Sequence, residues 1–320
     1  MIIKRIEKAL EGLPGLKGEL KIFYSKQRKL SWVCYFSDDE KEYVLKIPQR
    51  AVRGKGDGQV ETQRKAEAEW ISLNYFYDLA DSDDCPINFV KPVAYLSELN
   101  GVVTEKVSGS DLYRWLKRDH RKLEKEKNRD LLRRVGAGLS FLQARQRKEV
   151  KKLKFKWKKT DDLVIDEKLK NIFEENRLDH FYTVESMTGF DIRDILVSEE
   201  GQVYLVDPGG VEKRYIYETV ANLLSTLKIL HQGDLFFPLR TVSRAYEKAL
   251  IEGYLGDDQC DQKLLGVFVL AKITKLYKIA RDRKLPQRFG SGKVLTKIYL
   301  DPFYKREIKK TIKEYGLWHF

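Results

Sequence analysis

The chain has 320 residues, long enough for one large domain or two and for a substantial core. Hydrophobic residues make up 42% and aromatic residues 12%, which excludes a disordered chain. With 61 basic and 48 acidic residues the net charge is +13, which suits an anionic partner: nucleotide, phosphorylated sugar, nucleic acid or lipid headgroups. The three cysteines, Cys34, Cys85 and Cys260, are far apart and odd in number. They point to a reducing, cytoplasmic setting without a disulfide framework or zinc site. The start, MIIKRIEKALEGL, is too charged for a secretory signal. The longest apolar run, Leu264 to Ala271, falls well short of the ~20 residues that cross a bilayer.

In chain order, residues 1–13 read as a short amphipathic helix. Three strands follow, around Leu20–Tyr24, Ser31–Phe36 and Glu42–Ile47, with turns at Ser25–Lys29 and Asp38–Lys41. Lys46 lies near the end of the third strand between apolar neighbours, an unusual place for a solvated lysine. Residues 50–60 form a Gly-rich basic loop. A helix is expected from Glu61 to Tyr77, its apolar face carrying Ala66, Trp70, Ile71 and Leu73, with Glu67 and Glu69 on or beside that face. Ile87–Ser97 and Gly101–Glu105 read as two more strands, and Lys106–Asp111 as a linker.

Beyond it the pattern turns helical: Asp111–Trp115, Asp130–Gln143, Asp166–Leu178, Tyr217–Leu230, Leu239–Tyr254, Gln262–Leu285 and Asp301–Tyr315. Within this part, Arg145–Lys159 holds nine basic residues, one acid and two aromatics. Ser186–Gly210 is a hairpin. Its strands are Ile195-Leu196-Val197 and Val203–Val206, and its turn is Glu200-Gly201. Asp191 and Asp194 precede the first strand and Asp207 follows the second, so antiparallel pairing gathers these acids at one end. Oxygen ligands so placed suit Mg2+, which often bridges to phosphate; hairpin-end carboxylates left to solvent are the plainer reading. The division is α+β and two-lobed: a strand-rich lobe over 1–105, a helical lobe over 106–320 that includes the 186–210 hairpin, and a cleft between them of the kind that binds ligands.

Taken together, these parts resemble the protein-kinase-like superfamily over nearly the whole chain. The likeness is to its aminoglycoside-phosphotransferase-like branch, and within it to phosphotransferases of cell-surface polysaccharide synthesis. The motifs are Tyr-Val-Leu-Lys-Ile with Lys46, Glu67 as its helix partner with Glu69 second, Val102 to Gly109 as the hinge, Leu131–Leu142 beneath the catalytic loop, and Val203 to Gly209 as the metal strand and loop. The resemblance implies a small antiparallel-sheet N-lobe and a larger helical C-lobe. It also implies ATP and Mg2+ as cofactors, with Lys46 and Glu67 gripping nucleotide phosphates. The base would lie against Thr104, Glu105 and Lys106, and the metal on Asp194 and Asp207.

The chain departs from the family's His-Gly-Asp, four residues, Asn motif. With Ile195-Leu196-Val197 set on the apolar triplet that follows, Met187, Thr188 and Gly189 stand for His, Gly and the catalytic Asp, and Asp194 for Asn. The phosphate-covering turn Ser25–Lys29 has no glycine, so its contacts fall to side chains such as Lys26 or Arg28. Asp191 is the candidate replacement base; the plainer reading is a loop residue that caps local backbone. Two classes of function fit. One is an ATP-dependent phosphotransferase of a small-molecule, sugar or glycan hydroxyl, slow for want of a base at Gly189. The other is an inactive pseudokinase that binds nucleotide or a partner as a scaffold or regulator. Arg145–Lys159 suits an anionic membrane surface at the inner face or a polyanion, and a solvated basic loop explains it equally well. Nucleic-acid binding through it rests on charge alone, although Phe155 and Trp157 could stack bases.

Overall fold

A computed structural model describes residues 2–11, 13, 16–28, 31–48, 58–82, 84–119, 125–146, 148–150, 181–187, 190–229, 240–256, 262–282 and 300–317. The Gly-rich loop from 50 to 57, the basic run from 151 to 159, the helix expected over 166–178, and Thr188 and Gly189 lie outside the described residues. The fold is α+β. The chain divides into two units, Met1–Lys117 with Met187–Glu212, and Arg118–Ser186 with Lys213–Phe320.

The first unit opens with α1 (Ile2–Leu10), β1 (Lys21–Gln27), β2 (Ser31–Ser37) and β3 (Glu42–Pro48). It continues with α2 (Gly58–Ala80), β4 (Asn88–Phe89), β5 (Pro92–Leu96), β6 (Gly101–Glu105), β7 (Gly109–Asp111) and α3 (Leu112–Asp119). The five-stranded sheet runs β1-β2-β3-β6-β5, every neighbour antiparallel. Side chains alternate across a strand. One face supplies Cys34, Phe36, Tyr43, Leu45, Ile47 and Val103 to a core that α1 covers with Ile6, Ala9 and Leu10. The other face carries a straight row, because Lys26 pairs with Val33, Val33 with Lys46, and Lys46 with Val102. A parallel row there joins Tyr24, Tyr35, Val44 and Thr104.

The strand expected over Ile87–Ser97 is two strands in two sheets. Val90 donates its N–H to the Leu205 carbonyl, while the Lys91 carbonyl accepts from Glu105. The chain therefore changes sheets between them, just before Pro92, which has no N–H to give. The expected linker is likewise part strand. β7 pairs with β10 (Ile195–Ser198), which pairs with β11 (Val203–Leu205), which pairs in parallel with β4. Gly109 permits this: its φ is +156°, and a Cβ there would lie 2.2 Å from the Val197 carbonyl oxygen.

The second unit holds α4 (Lys125–Ala144), β8 (Lys148–Val150), most of β9 (Phe181–Met187) and of β12 (Val211–Tyr215), and then α5 (Tyr217–Lys228), α6 (Arg240–Leu255), α7 (Gln262–Asp282) and α8 (Asp301–Glu314). The three strands form a sheet in the order β12-β9-β8. α4 and α6 approach backbone to backbone through Gly136 and Gly253. A Cβ on Gly253 would fall 2.0 Å from the Arg133 carbonyl oxygen, and one on Gly136 would fall 2.3 Å from that of Leu250. In an open helix Gly→Ala stabilises by about 0.5–1 kcal/mol. Here the sign should reverse: Gly253→Ala should cost about 1–3 kcal/mol by overpacking, read as a lower urea midpoint at unchanged m. Among the described residues no helix is long and apolar enough to cross a membrane.

Candidate nucleotide site

Lys46 is the centre of the site. It stands on β3 with its side chain on the sheet face away from the α1-covered core, and its ammonium meets two carboxylates. Glu69 of α2 accepts through both oxygens, at 3.1 and 2.9 Å, and Asp207 accepts through Oδ1. The Glu69 side chain is only 10% exposed. Burial alone would lower the Lys46 pKa, but the charges of Glu69 and Asp207 outweigh it and raise it, so Lys46 is firmly cationic.

The expected partner Glu67 is thereby corrected to Glu69. Two residues on a helix turn by about 200°, so only one of the pair can face β3. Glu67 points elsewhere and accepts from Gln63 one turn back, at 2.8 Å. The sequence placed both acids near the apolar face, and only the helix phase separates them.

Asp207 ends the chain segment that leaves β11, at φ +55°. Asp and Asn tolerate this left-handed region better than most residues, which suits a carboxylate aimed sideways from a turn. Asp194 closes a single 3-10 turn, Ile192–Asp194, and its backbone carbonyl accepts from Val206. Its side chain is pushed up to about 7. Burial is the main cause, and the charges of Asp191 and Asp207 add to it, against the Asp191 N–H and Lys46, which pull down. The hairpin thus brings Asp194 and Asp207 within each other's field.

Asp191 caps that turn. Its Oδ1 accepts from the Arg193 N–H at 2.6 Å, while Asp194 Oδ2 accepts the Asp191 N–H at 2.8 Å. This reciprocal capping box is legible as two side-chain acceptors three residues apart. The guanidinium of Arg193 lies 3.6 Å from Asp191 Oδ2 and stacks 5.1 Å over the Tyr113 ring. The sequence reading did not single out Arg193.

The three positions expected at the hinge differ in their contacts. Thr104 shares the Lys46 face of the sheet, opposite Val44. Glu105 pairs opposite Tyr43, and its side chain accepts from Lys41 at 2.7 Å and meets Lys91 at 3.4 Å. Lys106 pairs with Glu42 at 2.5 Å and lies over the rings of Phe23 and Tyr35. The backbone N–H groups of Glu105 and Lys106 already donate to Lys91 and Glu42.

Among the described residues no group of three His, Cys, Asp or Glu is arranged to hold a metal. Asp194 and Asp207 are a two-carboxylate set. That fits Mg2+, which keeps waters and takes phosphate oxygens beside one or two carboxylates, and does not fit an all-protein cage. A carboxylate made costly by burial, and further by its carboxylate neighbours, is also what a cation would relieve.

No family model matches the chain. No curated protein matches it either. Solved structures do match in fold. A microcompartment-associated aminopropanol kinase superposes with a TM-score of 0.57 at 11% identity, over 98% of this chain and 99% of its own. The AMP-bound complex of a spectinomycin phosphotransferase gives 0.50 at 12% identity, over 94% and 98%. The fold is therefore the kinase-like α+β fold of small-molecule phosphotransferases, and at these identities the likeness is one of fold.

Proposed function

We propose that the chain is an ATP- and Mg2+-dependent phosphotransferase acting on a hydroxyl of a small molecule, sugar or glycan-like acceptor. The observation that carries this is the Lys46 ammonium held between Glu69 and Asp207 on the sheet face away from the α1-covered core. Lys46, fixed by Glu69, would grip nucleotide phosphates. The nucleoside would lie along Val33, Tyr35, Val44 and Thr104 on the same face, towards Glu105 and Lys106. Because the backbone N–H groups of Glu105 and Lys106 are already engaged, that face rather than those two donors would carry base recognition. Asp194 and Asp207 would hold Mg2+, and the ion would supply positive charge to the phosphate oxygens. The chain's own residues position and neutralise, which is most of what phosphoryl transfer asks of a protein. The acids of the site carry more negative charge than Lys46 balances, so a nucleotide would enter together with cations.

Turnover would be slow. Gly189 supplies no general base, an interaction otherwise worth about 10²–10⁴-fold. Asp191 retains one carboxylate oxygen beyond its cap, and that oxygen faces Arg193. The same cap favours a second reading, a pseudokinase that binds nucleotide as a scaffold or regulator, because it gives Asp191 a structural duty sufficient to explain its presence.

The test is a thermal shift with Mg·ATP across pH. Nucleotide at about 100 times its dissociation constant should add ~2.7 kcal/mol of stability. The proton on Asp194 competes with metal, so the Mg2+-dependent part should be weak below pH 7 and grow above it. A group titrating at about 7 is about one-tenth ionised at pH 6, which weakens apparent affinity about tenfold relative to pH 8. In Asp194→Asn this slope should vanish while the nucleotide's own titration remains. Absence of any shift with Mg·ATP or Mg·GTP at any pH would refute the nucleotide site. A shift without phosphate transfer to any hydroxyl acceptor would select the second reading.

A further inference from the structure

Resting on that reading of the site, we propose that Arg193 is the ligand of the nucleotide's terminal phosphate. The capping box explains why the Arg193 backbone is where it is, but not its side chain. The cap uses the main-chain N–H, which any residue except proline would supply. The guanidinium is 64% exposed, and its one ion pair among the described residues is loose, at 3.6 Å from Asp191 Oδ2. The guanidinium carbon lies 5.1 Å over the Tyr113 ring centre, a cation–π contact that consumes no N–H donor. A planar, oriented, always-charged fork with donors to spare is what bidentate phosphate recognition requires.

The charge pattern gives the same answer. Lys46 pairs with Glu69 and Asp207, and Asp194 feels the charges of Asp191, Asp207 and Lys46, so among these described residues four acids face two cations, Lys46 and Arg193. A polyphosphate approaching this group meets a surplus of negative charge. A transferred phosphoryl group spreads its charge over three oxygens, so a side-chain cation would add to the positive charge that an ion on Asp194 and Asp207 would supply. Arg193 adjoins Asp194 in sequence on the same 3-10 turn, so it brings positive charge to the catalytic turn itself. The Ser25–Lys29 turn has no glycine, so phosphate contacts fall to side chains, and Arg193 joins Lys26 and Arg28 among them.

The experiment compares Mg·ATP with Mg·ADP by titration calorimetry. The proteins are the full chain, Arg193→Gln, Arg193→Lys and the double variant Asp191→Asn/Arg193→Gln. Loss of a charge-assisted phosphate contact should weaken ATP about 10–100-fold in Arg193→Gln and leave ADP unchanged. Arg193→Lys should recover part of the loss, and the thermal midpoint without nucleotide should be unaltered. Equal losses for ATP and ADP, or no loss, would overturn the proposal. So would a double variant that regains the natural ATP preference, since Arg193 would then serve only to neutralise Asp191. If the full chain binds neither nucleotide, the functional reading itself fails and this inference falls with it; binding of both without discrimination by Arg193→Gln overturns this inference alone.

Discussion

Replacing Asp207 with Asn should weaken Mg2+-dependent nucleotide binding by at least about 100-fold, since loss of a residue that merely supports a metal ligand already costs about 10–100-fold in metal affinity. Asn is the informative choice. It keeps the shape of the side chain and tolerates the left-handed backbone, at φ +55°, that Ala would strain. Only the charge is removed. Lys46 then keeps Glu69 as its partner at 2.9 Å, so the pairing across β3 and α2 survives and the fold should melt within about 1 kcal/mol of the natural protein. Titration with ATP in the presence and absence of Mg2+ separates the two contributions. Metal-independent binding should persist weakly through Lys46, and the gain on adding Mg2+ should disappear. If the Mg2+ gain is intact in Asp207→Asn, the metal pair has been misassigned.

The parts of this site that were legible in the sequence are those set by strand periodicity. Lys46 stood out as a lysine between apolar neighbours near the end of a strand, and in the structure alternation puts Tyr43, Leu45 and Ile47 on one face and Val44 and Lys46 on the other. Asp207 followed from a hairpin whose register, Ile195 opposite Leu205 and Val197 opposite Val203, was fixed by its apolar triplets and by Gly201 at φ +82°. The helix partner was not fixed, because α2 has several apolar residues around its girth and its phase cannot be read from composition. Glu69 won over Glu67 by packing. The split of 87–97 between two sheets depended on where Val90 and Lys91 send their backbone hydrogen bonds, a long-range fact with Pro92 as its only local sign. Arg193 was hidden for a different reason. An arginine between two acids reads as ordinary surface charge until Tyr113, from a distant segment, is seen beneath it.

The largest stability effect is expected away from the site, at Lys228. Its ammonium lies 2.5 Å from Glu247 and 2.7 Å from Glu314, tying the end of α5 to α6 and α8, and its side chain is only 2% exposed. Burial pulls its pKa down, but the charges of Glu247 and Glu314 more than reverse this and hold it above the usual lysine range. A cation raised in the folded state contributes stability that is complete below its unfolded pKa and is lost only as pH climbs through the folded one. The lysine's contribution is therefore complete at neutral pH and, on the alkaline side, is lost only in strong alkali. Lys228→Met keeps most of the volume and deletes the charge that meets the Glu247 carboxylate, 10% exposed, at 2.5 Å. Breaking one side of such a buried pair costs about 3–5 kcal/mol. Glu314 is shielded from the worst of it, because it is more exposed and Arg244 approaches it at 3.7 Å. Glu247 is the more buried of the two acids, so Lys228→Met/Glu247→Gln should recover part of the loss. Denaturant unfolding at pH 7 measures both variants. A Lys228→Met protein within about 1 kcal/mol of the natural one, where ordinary surface substitutions fall, would mean that the three helices are held by their apolar faces alone.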